Sequence, residues 1–189
     1  MEIQKGVHLL ESTKGSFVYL VLDRNEPLLI DTGNPGKHEK IEAELAKLGV
    51  SLNDIAHILL THSDVDHIGN AKSLQRASGA KVWAPQDDLP YIHGTKKHKG
   101  LRRLIGAVVK AEKPEVDATY EPGQHVGSVE MIPTPGHTPG HVSFRYGDIL
   151  FYRRFGHDQQ REDQTSAQLF DSRQSQLEKI IARCGQAIV

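Results

Sequence analysis

Residues 61–69, THSDVDHIG, place His62, Asp64, Asp66 and His67 within six positions. The run stands where a strand-like stretch, residues 55–60, gives way to a helical one, residues 70–78. Alternate side chains of an extended segment share a face, so His62, Asp64 and Asp66 project together, and a turn before the helix brings His67 round to join them. Four ligand-type side chains at that density point to a metal cluster. The plainer alternative is a helix start capped by Asp64 or Asp66, with two surface histidines beside it.

Upstream, residues 16–22 (SFVYLVL) and 27–31 (PLLID) read as strands, the second closed by Thr32-Gly33. Between residues 37 and 48 the apolar Ile41, Leu45 and Leu48 recur at helical spacing, with Gly49 as the stop. Residues 81–84 (KVWA) are extended. Downstream the alternation of strand and helix ends, and residues 126–133, 141–146 and 149–152 read as short antiparallel strands, the last two joined at Gly147-Asp148. Within that half, residues 133–141 spell PTPGHTPGH, a turn in which Gly and Pro fix the backbone so that a histidine can point inward. Either His137 or His141 suits completion of a site begun by the first motif. The other histidines, His8, His38, His57, His93, His98 and His125, lack ligand-type neighbours at useful spacing and read as surface or core residues.

Together THSDVDHIG, TPGHTPGH and the isolated Asp-Thr-Gly at 31–33 resemble the metallo-β-lactamase superfamily, whose usual first motif is H-x-H-x-D-H. The resemblance runs from about residue 5 to Phe151. It implies an α/β fold, a metallo-β-lactamase-like αββα sandwich with metal sites at one edge, here with the second half incomplete. It also implies that His62, Asp64 and His137 hold a first ion, and Asp66 and His67 a second. Asp31 would support a ligand without touching metal, and His141 would stand nearby in a supporting or structural role. The expected cofactor is zinc, as one or two divalent ions. Asp64 stands where the family usually has histidine, and a carboxylate there makes iron or manganese more competitive. The implied chemistry is hydrolysis by a metal-activated water, oriented or deprotonated by Asp66, on an ester, lactone, thioester or phosphodiester.

Composition narrows the remaining classes. The 189 residues suit one domain, read as a metal-binding core over residues 1–151 and an atypical C-terminal segment of the same domain over 152–189. With 38% hydrophobic and 25% charged residues and a formal net charge of −1, neither disorder nor a polyanion-binding charge excess is indicated. Cys184 is the single cysteine, so any metal is held by histidine and carboxylate. The absence of a signal-like N-terminus and of an 18-residue apolar run leads to the expectation of a cytoplasmic protein that does not enter membranes. Residues 94–103 (GTKKHKGLRR) are strongly basic but lack interleaved aromatics, so a solvated loop is expected and nucleic acid is not. A small-molecule substrate is the expected partner.

Beyond Phe151 the family pattern continues with a small residue and Gly-Asp, whereas this chain reads Tyr152-Arg-Arg-Phe155. Always-protonated arginines offer no lone pair to a cation. Seven of the 38 residues from 152 onward are glutamine, against four in the first 151, so the composition changes at the point where the motif is lost. Two readings fit. Read one nucleotide late, TAC-CGG-CGA-T becomes ACC-GGC-GAT, which encodes Thr-Gly-Asp, and the tail is then out of frame. Otherwise it is a truncated or divergent branch in which His157, Asp158, Glu162 or Asp163 rebuilds the second site. Residues 168–182 read as helical. A second ion with only Asp66 and His67 should be weak, and an exposed apolar sheet should be covered by a homodimer or larger homo-oligomer. Three rival classes remain at this level: a non-catalytic metal-binding protein, an RNA-processing member of the fold, and a non-haem iron redox protein.

Overall fold

A computed structural model describes residues 1–24, 26–97, 111–152 and 167–169. The chain forms two compact units, residues 1–119 and 120–189, each with its own sheet. The mixed α/β class expected from sequence is observed.

The first unit is a seven-stranded sheet in sequential order: β1 (Glu2–Gln4), β2 (Val7–Leu9), β3 (Tyr19–Val21), β4 (Leu28–Ile30), β5 (His57–Leu59), β6 (Lys81–Ala84) and β7 (Ala118–Thr119). β1 to β4 pair antiparallel, and β4 to β7 run parallel. The change of direction follows from the connections: short turns join the early strands, whereas helices α1 (His38–Lys47) and α3 (Ala71–Ser78) carry the chain back between parallel ones. Leu20, Leu29, Ile58, Leu60, Val82 and Ala84 line one sheet face at period two and pack with Ile41 and Leu45 of α1 and Leu74 of α3. Each such fully buried leucine or isoleucine stabilises the fold by about 1.5–3 kcal/mol.

Gly49 stops α1 as expected. At φ 76 it occupies the left-handed region, and the Val50 and Gly49 amides donate back to the Leu45 and Ala46 carbonyls at 3.0 Å each, capping the helix end. β6 keeps the bounds expected from sequence, whereas β3, β4 and β5 are shorter than the apolar runs that announced them.

The second unit is an antiparallel sheet ordered β12-β11-β10-β9-β8, with β8 (His125–Val126), β9 (Val129–Pro133), β10 (Val142–Tyr146), β11 (Ile149–Phe151) and β12 (Ala167–Leu169). Residues 126–133, expected as one strand, are instead a hairpin turning on Gly127-Ser128. Gly127 at φ 58 is first in that two-residue loop, the position where the turn demands glycine. The loop at Gly147-Asp148 is built alike, with Gly147 at φ 56.

The helix expected over 168–182 is corrected at its start, since residues 167–169 pair with β11 as a strand. The rest of that helix, His157, Asp158, Glu162, Asp163 and Cys184 lie outside the described residues, as does most of the basic segment. Among the described residues the exposed large hydrophobics are Met1, Phe17 and Leu48, none of them in a strand. No helix among them is long and apolar enough to cross a membrane.

Candidate metal centre

Of the four parallel strands, β4, β5 and β6 are adjacent and end at one edge of the first sheet, and the chain leaving β5 there carries the histidine and aspartate run. In α/β sheets the carboxyl ends of parallel strands are where sites are built. Asp64 has extended backbone at φ −69 and ψ 146, and bends at Thr61 and Ser63 bring His62 to its side. Asp66 and His67 do not follow on extended chain. They belong to α2 (Val65–Ile68), a single helical turn closed by the His67 amide donating to the Asp64 carbonyl at 2.9 Å. Asp64 occupies the N-cap position but makes no side-chain capping bond, so its carboxylate is not spent on the helix.

Asp31, just past β4, organises both histidines. Its Oδ1 accepts the Thr61 amide at 2.8 Å and its Oδ2 the Thr61 hydroxyl at 2.7 Å. With its proton committed to Asp31, the Thr61 oxygen can only accept from His62 Nδ1, 2.9 Å away. His67 Nδ1 likewise donates to Asp31 Oδ2 at 2.7 Å. Both rings therefore carry Nδ1–H toward the interior and turn Nε2 toward a carboxylate: His62 Nε2 is 3.5 Å from Asp64 Oδ2, and His67 Nε2 is 3.4 Å from Asp66 Oδ2. The rings lie 3.9 Å apart between centroids. Burial alone lowers the His67 pKa, but the charge and hydrogen bond of Asp31, helped by Asp66, outweigh it and push the imidazole up to about 9. A cation taken up at His67 displaces that proton.

Asp31 is held in the left-handed region at φ 59, rare for a residue with a side chain. The turn after it is zipped to the end of α2. The Thr32 amide and hydroxyl donate to the His67 carbonyl at 2.7 and 2.8 Å, and the Gly69 amide donates to the Gly33 carbonyl at 3.0 Å. A Cβ on Gly69 would fall 2.6 Å from Pro35 Cδ and nearer still to the Gly33 carbonyl and the Pro35 nitrogen. The buried Asn70, which sequence reading treats only as a helix start, donates to the Thr32 and Asn34 carbonyls at 2.6 and 2.7 Å and accepts the Lys37 amide at 2.8 Å. The fully buried Asp88, also unnoticed in the sequence, accepts the Ser63 amide at 2.8 Å.

In the second unit His137 and His141 sit in the turn between β9 and β10. The Thr134 amide donates to the His141 carbonyl at 3.0 Å, closing it. The buried His141 places Nδ1 2.9 Å from the Thr134 hydroxyl and 3.2 Å from its carbonyl, which can only accept, so Nδ1 carries the proton. The Thr134 and Ser143 hydroxyls are 3.0 Å apart, continuing the network. The half-buried His137 stands edge-on to His141, centroids 6.0 Å apart.

Residues 13–151 match the family model of the metallo-beta-lactamase superfamily. The chain belongs to that superfamily. The uncharacterized protein YobT of Bacillus subtilis is 35% identical over 130 residues, covering 67% of this chain and 54% of the relative. A probable metallo-hydrolase of the same organism, YflN, is 30% identical over 159 residues, covering 75% and 60%. Among solved structures, a HARLDQ-motif mutant of a metallo-beta-lactamase from Cronobacter sakazakii is 26% identical with a TM-score of 0.67, covering 80% of this chain and 58% of that one. The chain thus spans little more than half the length of those relatives. Superfamily membership implies a divalent metal.

Donor chemistry fits one. Nitrogen–oxygen separations of 3.4 and 3.5 Å are long for charge-assisted hydrogen bonds. They match the ~3.4 Å edge of a tetrahedron whose metal–ligand bonds are ~2.1 Å.

Proposed function

We propose that the chain is a metal-dependent hydrolase acting on an ester, lactone, thioester or phosphodiester, with one tightly held ion, zinc in the first instance, on His62, Asp64 and His137. The observation that carries this reading is the pair of imidazole–carboxylate couples, both with Nδ1 tied inward and Nε2 presented to an oxygen. Metal ligation needs that tautomer.

The ion supplies an acidified water and an electrophile for the scissile group. The protein's own residues supply the rest. His62 and Asp64 bind, two donors from one short stretch of chain. Asp66, half-exposed beside His67, accepts the proton that the attacking water sheds and orients that water by hydrogen bonding to it. Asp31 holds Nδ1–H of His67, and through Thr61 that of His62, so that both rings keep their heading. Asp66 and His67 offer a second ion fewer protein ligands than the first, so that ion is held more weakly.

Metal analysis of the zinc-loaded, purified full chain tests the reading. Wild type is expected to keep about one equivalent through gel filtration, and His62→Ala combined with His137→Ala to keep none. Stoichiometric metal in the double variant overturns the assignment, and a metal-loaded wild type inert across ester, thioester, lactone and phosphodiester panels overturns the hydrolytic reading.

A further inference from the structure

The ligand-bearing loop is gripped from two sides, and only one grip is Asp31. β5 lies between β4 and β6 in the sheet, and each neighbour is followed by a buried aspartate: Asp31 directly after β4 and Asp88 four residues beyond the end of β6. Asp31 takes the amide of Thr61 at 2.8 Å, and Asp88 takes the amide of Ser63 at 2.8 Å. Thr61 precedes His62, and Ser63 stands between His62 and Asp64. Ser63 is a bend between the two, so fastening its amide holds the peptide that joins it to His62 and restricts how that bend can open or close.

Asp88 is reached through a turn built for it. The chain leaves β6 at Pro85, makes a 3-10 turn over Gln86–Asp88 closed by the Asp88 amide donating to the Pro85 carbonyl at 3.1 Å, and enters α4 (Leu89–Ile92). Asp88 is the N-cap residue of α4 yet makes no side-chain capping bond. A fully buried carboxylate passed over by its own helix and turned onto a neighbouring loop's amide is costly to keep unless that contact is useful.

We infer that Asp88 is a positioning residue for metal binding: by holding the Ser63 amide it sets His62 and Asp64 at the separation an ion requires. This rests on the metal reading above. The loop is thereby preorganised before metal arrives, and the aspartates play different parts, Asp31 acting on the rings and on the Thr61 amide ahead of them, and Asp88 on the amide between the ligands.

The test uses the full chain and zinc alone. Competition against a chromophoric chelator, at a temperature where circular dichroism shows each variant folded, should find Asp88→Ala weaker than wild type by about 10-fold or more, the range seen for outer partners of metal ligands. Asp88→Asn, which keeps an acceptor oxygen, should recover most of that loss, and exposed Asp87→Ala should match wild type. A general structural role would lower the melting temperature of both Asp88 variants without this split in affinity. Should Asp88→Ala not fold, amide exchange in metal-free wild type decides, with Ser63 expected to be protected. Wild-type affinity in folded Asp88→Ala, no rescue by Asp88→Asn, or a rapidly exchanging Ser63 amide would each overturn the inference. Zinc retained by the His62→Ala/His137→Ala variant would instead remove the metal reading on which it rests.

Discussion

The loop carrying His62 and the turn carrying His137 both hold histidines in place, but they draw on different partners. Thr61 and Ser63 are fastened by Asp31 and Asp88, 30 and 25 residues away in sequence, and His67 by Asp31, 36 away. The turn at 133–141 is fastened by Thr134 to His141 and Ser143, seven and nine residues away. The first loop acquires its shape only once β4, β5 and β6 have paired. The second needs only its own hairpin. Long-range closure carries the larger entropic cost. Damage to the first loop should therefore spread through the sheet, while damage to the second stays local.

Gly69→Ala should break the contrast most severely. The added methyl meets backbone at distances that force movement, separating α2 from the turn after Asp31 at a cost of about 3 kcal/mol. Urea unfolding would measure it, and a loss under about 1 kcal/mol would mean the first loop is as adaptable as the second.

Asp31→Ala ranks next. It strips the acceptor from the Thr61 amide, worth about 1–3 kcal/mol, and releases both imidazoles, so zinc affinity by chelator competition should fall about 10–100-fold. Unchanged affinity would return Asp31-Thr-Gly to an ordinary strand-ending turn.

Thr134→Val, the matching lesion in the second loop, should cost only about 1 kcal/mol in unfolding, since it removes hydroxyl contacts and spares the backbone bond closing the turn. A cost approaching that of Asp31→Ala would erase the distinction.

Glu44→Gln sharpens the comparison from the other direction, being long-range but partly exposed. Glu44 accepts the Glu11 and Ser12 amides at 2.8 Å each. Burial by itself raises its pKa, but the bonds from Ser12 and Glu11 bring it below the ordinary carboxylate value. A depressed carboxyl stabilises the fold above its unfolded pKa and loses that contribution as pH falls through the folded one. The variant should lose under about 1 kcal/mol at neutral pH, and its difference from wild type should vanish in acid. A loss as large as that of Asp31→Ala would show that sequence separation, rather than burial, sets the cost.

What sequence conveyed depended on whether the information was local. The run at 61–67, the Asp-Thr-Gly turn, the stop at Gly49 and the turn at Gly147-Asp148 are legible because a few adjacent residues dictate their geometry. Asp88 was not: no pattern in its neighbours singles it out, and its relation to Ser63 exists only after β6 has paired with β5. Asn70 was hidden in the same way. The hairpin at Gly127-Ser128 escaped because the apolar residues around it continue a strand pattern, and Asp66 reads as extended chain only if the alternative helix start at Asp64, the N-cap observed, is set aside.

The unusual backbone of Asp31 narrows what evolution or a library can place there. Asn and Gly enter the left-handed region readily and Asp does so at modest cost, but Glu does so seldom and adds a methylene that overshoots Thr61. The exchange of Asp for Glu, ordinarily among the mildest, is at position 31 a change of both conformation and reach. Saturation mutagenesis read out by folded yield should return Asp, Asn and Gly, and the same pool sorted by zinc retention should return Asp almost alone.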